Sequence, residues 1–313
     1  MDPGQFFASS RVLIVAGKGG VGKTTASATL ALAAARTGLS VLLVEVAGRS
    51  ATAPMFGADA PGYEESTVYD EAAAGSVRAR SITPDDALVE WLKKHGFARI
   101  AKRMAKSGLL EIVATATPGI KDLLVLGRIK ALEAEGVADL IIVDAPAAGH
   151  AIQFLQAPVG VREAARTGVL NRQAVEVLEM LDDPSRCRAV LVSIPEETPI
   201  NELVDTAFAV EDEVGLALGP VVINGILPTI AGLGDVDGFS DLADTEVADV
   251  RLAADLRRDR LSLQAEQLER LETQLPLAQI RLPQLFTTEI GPAQLHELAD
   301  AALASIEALE EWA

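Results

Sequence analysis

Residues 17–25 read GKGGVGKTT, and their types and spacing define a chemistry before any element is placed. Gly17, Gly22, Lys23 and Thr24 satisfy the pattern G-x-x-x-x-G-K-[ST], in which glycines let backbone N–H groups close around phosphate oxygens. Lys23 is spaced to reach the β- and γ-phosphates of a nucleotide, and the Thr24 hydroxyl to ligate Mg2+. The expected contact set is Gly17, Gly19, Gly20, Val21, Gly22, Lys23, Thr24 and Thr25. One residue is left over: Lys18 stands at the front of the loop although Lys23 already supplies the usual charge.

Two polar residues at the ends of apolar runs extend this chemistry. Asp144 closes the run DLIIVDA (139–145) and is followed by a Pro/Ala/Gly loop. A carboxylate there can hold Mg2+ through water, and such a loop can respond to a γ-phosphate. Asn224 ends the run PVVING (220–225). The Asn-Lys-x-Asp tetrad of guanine-specific enzymes does not occur, whereas an Asn amide can donate and accept at the adenine edge. ATP is therefore expected over GTP, although Asn after a strand is also a common turn residue.

These residues need a scaffold that presents them at one edge. Short Val/Ile/Leu-rich runs predict strands at 11–16, 40–46, 76–82, 139–145, 188–194, 220–225 and 279–283, with helices between them, among others at 24–37, 199–214 and 292–312. This alternation predicts an α/β fold, a doubly wound and mostly parallel sheet. The stretch 83–135 differs. It opens on Thr83-Pro84-Asp85-Asp86, a good helix start, and stays helical with turn signals near Gly108 and Pro118-Gly119. Further helical stretches lie at about 159–182 and at 245–274. The expected organisation is one domain over 1–313, with 83–135 and about 159–182 forming a helical subdomain inserted within it.

Composition narrows the classes. Asp and Glu total 45 against 27 Lys and Arg, a net charge of -18, which disfavours nucleic-acid partners. The single cysteine, Cys187, supports neither a zinc CxxC pair nor a cysteine-held iron–sulfur cluster within one chain, so no zinc and no iron–sulfur cluster are expected. The N-terminal residues lack a basic region, and the apolar runs are broken by Arg36, Gly38 and Glu45, so a cytoplasmic chain with at most peripheral membrane contact is expected.

Taken in order, these segments resemble the ArsA and guided-entry (tail-anchored protein targeting) ATPase family. GKGGVGKTT is similar to its deviant Walker A loop, DAPAAGHAIQFL to its switch II, PGIKDLLVLGRIK to its P-G-I-D-E helix, SIPEETPINEL to its P-E-E segment, VVING to its adenine-binding strand end, and RLPQLFTTEIGPAQLHELA to its closing segment. The resemblance implies a P-loop NTPase that binds ATP/ADP and Mg2+ and closes on ATP as a homodimer, or as a heterodimer with a related ATPase, to engage a protein client at the helical subdomain. It implies that Asn224, Pro283 and Leu285 contact adenine, and that Thr24 and Asp144 serve the metal. It also gives Lys18 a task, since in such proteins the extra lysine reaches the partner's phosphates. A cation supplied in this way meets the charge that phosphoryl transfer develops.

The chain departs from the family pattern in three places. The zinc CxxC pair is absent. Ala47 stands where the family carries the Asp that orients the attacking water, with Arg49 near its His, while Glu45 lies two residues earlier, where MinD- and ParA-like relatives carry an acid. The catalytic set is therefore Lys18, Lys23, Asp144 and Glu45, and a scaffold that binds ATP without hydrolysing it stands beside the ATPase reading. Only four methionines occur, so the helical region lacks the adaptable face that varied hydrophobic clients favour. A MinD/ParA-like positioning ATPase is a third reading, but the chain ends LADAALASIEALEEWA, which is acidic where MinD-type proteins carry a basic membrane helix.

One motif remains outside this scheme. WLKKHGFARIAKRMAKSGLL carries Lys93, Lys94, Arg99, Lys102, Arg103 and Lys106, with Trp91, Phe97, Ile100 and Met104 at helical spacing. It reads either as a docking face for a membrane surface, an acidic partner or the other subunit, or as a solvated face that neutralises nearby carboxylates. His95, His150 and His296 show no metal spacing, and His150 is the one placed to respond to nucleotide.

Overall fold

The computed structural model describes residues 1–46, 51–71, 75–96, 119–146, 148–231 and 244–310. Its strands are β1 (Val12–Gly17), β2 (Ser40–Val46), β3 (Ser66–Asp70), β4 (Ser76–Ile82), β5 (Leu140–Asp144), β6 (Cys187–Ser193), β7 (Val221–Ile226) and β8 (Gln279–Pro283). They form one sheet in the order β3-β4-β2-β5-β1-β6-β7-β8, parallel throughout except for the antiparallel β3–β4 pair. From β1 the chain first winds to one side, through β2 and β4, then returns through β5 and continues to the other side through β6, β7 and β8. The loop after β1 thus opens at the point where the winding reverses, which is where α/β sheets bind ligands.

Strand β1 is buried along its whole length, as a strand covered on both faces should be. Alternate residues supply two separate cores. Val12, Ile14, Leu42, Val44, Ile141 and Val143 face one way, with helices α3 (Pro84–Lys94), α4 (Ile120–Glu135), α5 (Ala148–Ala164), α6 (Val169–Leu181) and α7 (Glu197–Ala209) packed on them. Leu13, Val15, Val41, Leu43, Leu140 and Ile142 face the other way, under α1 (Pro3–Ala8), α2 (Lys23–Arg36) and α9 (Pro292–Glu307). The long helix α8 (Asp244–Gln274) reaches the first core near its end, through Leu268 and Leu271.

Thr83 caps α3 by accepting from Asp86 N at 3.2 Å, which is the helix start expected from Thr-Pro-Asp-Asp. Helix α5 begins at Ala148, a full three turns before the stretch expected at about 159, because Ala151, Phe154 and Leu155 already form a buried helical stripe and Pro158 is accommodated inside the helix. Strand β3 was not foreseen. It is an edge strand reading STVYD, without a fully buried side chain, so it carries no apolar run. Ala47, Arg49 and the segment from Phe97 through Lys106 lie outside the described residues. Among the described residues no helix is long and apolar enough to cross a membrane.

Candidate functional site

Gly17 ends β1 with φ 156°, and a Cβ there would lie 2.3 Å from the Val192 carbonyl of β6, so only glycine fits between these strands. Gly22 caps α2 with φ 89°, and its missing Cβ makes room for the Asn224 amide. The turn between them leads into the N-terminus of α2, a place with affinity for anions. There Lys23 Nζ donates to the Lys18 carbonyl at 2.9 Å. Burial pulls the Lys23 pKa down, and the nearby Asp144 charge opposes that shift.

Asp144 ends β5 beside β1 and β2, in register with Val15 and Glu45. Its carboxylate accepts from Thr24 Oγ1 at 2.8 Å and from Ser27 Oγ at 3.2 Å. Burial pushes the Asp144 pKa up. The Thr24 and Ser27 hydrogen bonds and the Lys23 charge oppose this, and neighbouring Glu45 adds to it. Glu45 is 1% exposed. One of its oxygens accepts from Thr52 N at 2.7 Å and from the Thr52 hydroxyl, while the other, Oε2, is buried with no hydrogen-bond partner among the described residues. An orphaned carboxylate oxygen is costly, and its presence beside Asp144 points to a group that would complete it.

The donor chemistry fits a hydrated divalent cation. A hydroxyl (Thr24) and a carboxylate (Asp144) are hard oxygen donors of the kind Mg2+ takes. No group of three or more His, Cys, Asp or Glu is gathered to hold a metal among the described residues, so such an ion would draw the rest of its shell from phosphate and water.

The remaining expected residues fall into two places. Asn224 donates its Nδ2 to Val21 O at 3.0 Å, which ties β7 to the loop and leaves its carbonyl oxygen without a protein partner among the described residues. That oxygen can accept from the 6-amino group of adenine, where guanine carries a carbonyl that cannot donate. Pro283 pairs in register with Ile226 at the same end of β7, and Gln284 N donates to Ile226 O at 2.8 Å, so the segment carrying Leu285 is held beside Asn224. Lys18 is elsewhere: its Nζ bonds Glu202 Oε1 of α7 at 2.6 Å. The leftover lysine thus has a partner within its own chain. His150, at the start of α5, is close enough to the half-buried Asp122 of α4 to oppose the rise that burial gives that carboxyl.

Residues 10–173, a little over half the chain, match the family described as anion-transporting ATPase. The chain belongs to the anion-transporting ATPase family. It is 30% identical to ATPase BagA of Mycobacterium tuberculosis over 93% of this chain and 92% of that one. It is 28% identical to the arsenical pump-driving ATPase of Escherichia coli over 78% of this chain and 44% of that one. It is 32% identical to ATPase GET3 of Chaetomium globosum over 53% of this chain and 48% of that one. Every one of these relatives is named an ATPase. The match of this anion-transporting ATPase family chain to its family takes in the loop, Glu45 and Asp144 but stops short of Glu202, Asn224 and Leu285.

Several features of this family member carried no sequence signal. Thr52, Ser27 and Glu202 gain their roles only through tertiary contacts. Phe286, 76% exposed beside Leu285, stacks under the Arg257 guanidinium of α8 at 5.5 Å. A cleft of about 340 Å³ opens between α3, α4 and α6, with Trp91, Lys94, Arg128, Arg172 and Glu176 in its walls, and Trp91 Nε1 donates to Gln173 across it.

Proposed function

We propose that this chain is an ATP-driven switch: two copies, or one copy and a related subunit, close on ATP and Mg2+, and hydrolysis lets them reopen. The observation that carries this reading is the meeting of Lys23, Thr24 and Asp144 around one anion-binding loop, with a second lysine, Lys18, five residues before Lys23. In the switch, Lys23 would leave the Lys18 carbonyl for the β- and γ-phosphate oxygens, and the Thr24 hydroxyl would turn from Asp144 to Mg2+. The cation, when bound, neutralises phosphate charge as the terminal bond breaks. Lys18 of one subunit would meet the phosphates of the other. Glu45, oriented by Thr52, would offer its unpartnered oxygen to the attacking water in place of the acid that Ala47 lacks. Asn224, Pro283 and Leu285 would hold adenine. The helices α3, α4 and α6 and the cleft between them would form the partner-binding part.

Arsenite binding through several thiols is not expected of this function. Three thiols that could hold arsenite do not exist in a chain with one cysteine, and Cys187 is fully buried with its thiol pKa pushed up by that burial.

Ala47 supports a second reading, an ATP-binding scaffold without turnover. Phosphate release and sedimentation of wild type, Lys18→Ala and Lys23→Ala, with ATP and Mg2+, separate the two. The switch predicts that Lys23→Ala loses about a hundredfold or more in turnover and that both variants lose ATP-dependent dimers. Equal turnover in all three proteins would contradict it. ATP recovered intact from wild-type dimers would favour the scaffold.

A further inference from the structure

The two lysines of the loop are fastened to each other and to the fold. Lys23 Nζ donates to the Lys18 carbonyl at 2.9 Å, and Lys18 Nζ donates to Glu202 Oε1 at 2.6 Å. One lysine therefore holds the main chain of the other, and Glu202 holds its side chain. Lys23 serves phosphate only by leaving the Lys18 carbonyl. Lys18 serves a partner's phosphate only by leaving Glu202.

We propose that Glu202 is the positioning residue for Lys18: it parks the lysine against α7 while the loop is empty and releases it when phosphate draws Lys23 away. This assignment rests on the role across the dimer proposed above for Lys18. Helix α7 suits the task of a fixed post. Asn201, next to Glu202, accepts from Arg270 of α8, and the same guanidinium donates to Glu197 O at 3.3 Å. The post is firm, but the clasp is light. The Lys18 and Glu202 side chains remain 38% and 43% exposed, so water competes for both charges and the pair is easily broken. A triphosphate carries more negative charge than one carboxylate and outcompetes it for the ammonium group. The clasp thus biases the empty chain away from premature closure without trapping it.

The two clasps are also linked. Removal of Lys23 from the Lys18 carbonyl frees the main chain at Gly19 and Gly20, where added side chains would meet open space, so the front of the loop has room to move. Phosphate binding in one chain thereby loosens the lysine that the other chain needs.

Sedimentation of the full chain against ATP concentration, with Mg2+ present, tests the assignment together with steady-state turnover. Glu202→Gln keeps the shape and removes the charge. It should lower the ATP concentration for half-maximal dimer by about two- to fivefold. It should leave kcat unchanged, because Glu202 does not touch the reacting atoms. Glu202→Asp should restore part of the difference, and Glu202→Ala, equally uncharged, should repeat the Glu202→Gln result. Easier dimer formation at unchanged kcat is a result that a merely structural role would not produce. Asp205→Asn, an exposed charge on the same helix, should leave the half-point in place. If Lys18→Ala abolishes dimers while Glu202→Gln leaves the half-point at the wild-type value, the positioning role is overturned and the role of Lys18 across the dimer stands. If Lys18→Ala forms dimers as wild type does, the role across the dimer falls and the positioning role falls with it.

Discussion

The two faces of the sheet are packed by different means. Under α2 and α9 alanines line much of the contact: Ala26, Ala28, Ala31, Ala33, Ala34 and Ala35 of α2 are all fully buried, beside Leu30 and Leu32, so the helix lies close on the strands. Under α4 to α7 the contacts are large, with Leu123, Leu126, Ile129, Leu132 and Phe154 filling the space. The phosphate loop runs directly into the alanine-packed helix, whereas the Asp144 loop and Glu202 lead into or sit on helices of the other face. The difference separates two duties. A helix packed mainly through alanines, with Leu30 and Leu32 as its long buried side chains, fixes the phosphate-binding backbone. Helices joined by loops and packed through larger side chains carry the groups that must respond.

Substitutions of opposite kinds test this separation. The largest effect on stability is expected from Leu126→Ala, which empties a fully buried site on the leucine-packed face and should cost about 2–5 kcal/mol in urea unfolding. ATP affinity should stay within about threefold, because the cavity lies on the face away from α2. Ala33→Leu should cost less, about 1–3 kcal/mol, by overpacking the other face, yet weaken ATP binding more, because α2 must shift and carries the loop with it. If affinity falls equally in both variants, the two faces do not divide the work.

A smaller effect concerns pH. Burial raises the Asp144 pKa above the ordinary carboxylate value, so the folded chain binds the proton more tightly than the unfolded chain. Stability from this group is present at acid pH and is lost as pH rises through the ordinary carboxylate range towards the raised folded value. Asp144→Asn should remove that loss. Unfolding midpoints should then fall less steeply with pH than in wild type, while turnover drops. An unchanged slope would mean that the Thr24 and Ser27 hydrogen bonds already offset the burial.

Much of this was legible in the sequence, for identifiable reasons. Strand β1 is covered on both faces, so VLIVAG reads as a continuous apolar run, and the glycine pattern after it follows from the close approach of backbone to phosphate. Family membership was legible because its motifs occur in order along the chain. Strand β3 was hidden because it has one neighbour and little buried surface. The start of α5 was hidden because Pro158 reads as a boundary. Asn224 was visible as an adenine candidate, but its bond to Val21 O was not, since strand ends far apart in sequence meet only in the sheet. Glu202 was hidden for the same reason, because one acid on an amphipathic helix looks like any solvated charge.

The central claim is that each ATP site is completed by Lys18 from a second subunit. Mixing Lys18→Ala with Lys23→Ala tests it directly by phosphate release. In the mixed dimer the Lys18→Ala subunit keeps its own Lys23 and receives an intact Lys18 from its partner, so one site is whole. Two variants that neither dimerise nor turn over alone should together form dimers and recover up to about half of wild-type turnover, since each dimer that forms is mixed and has one working site. A mixture as inactive as either variant alone would contradict the claim.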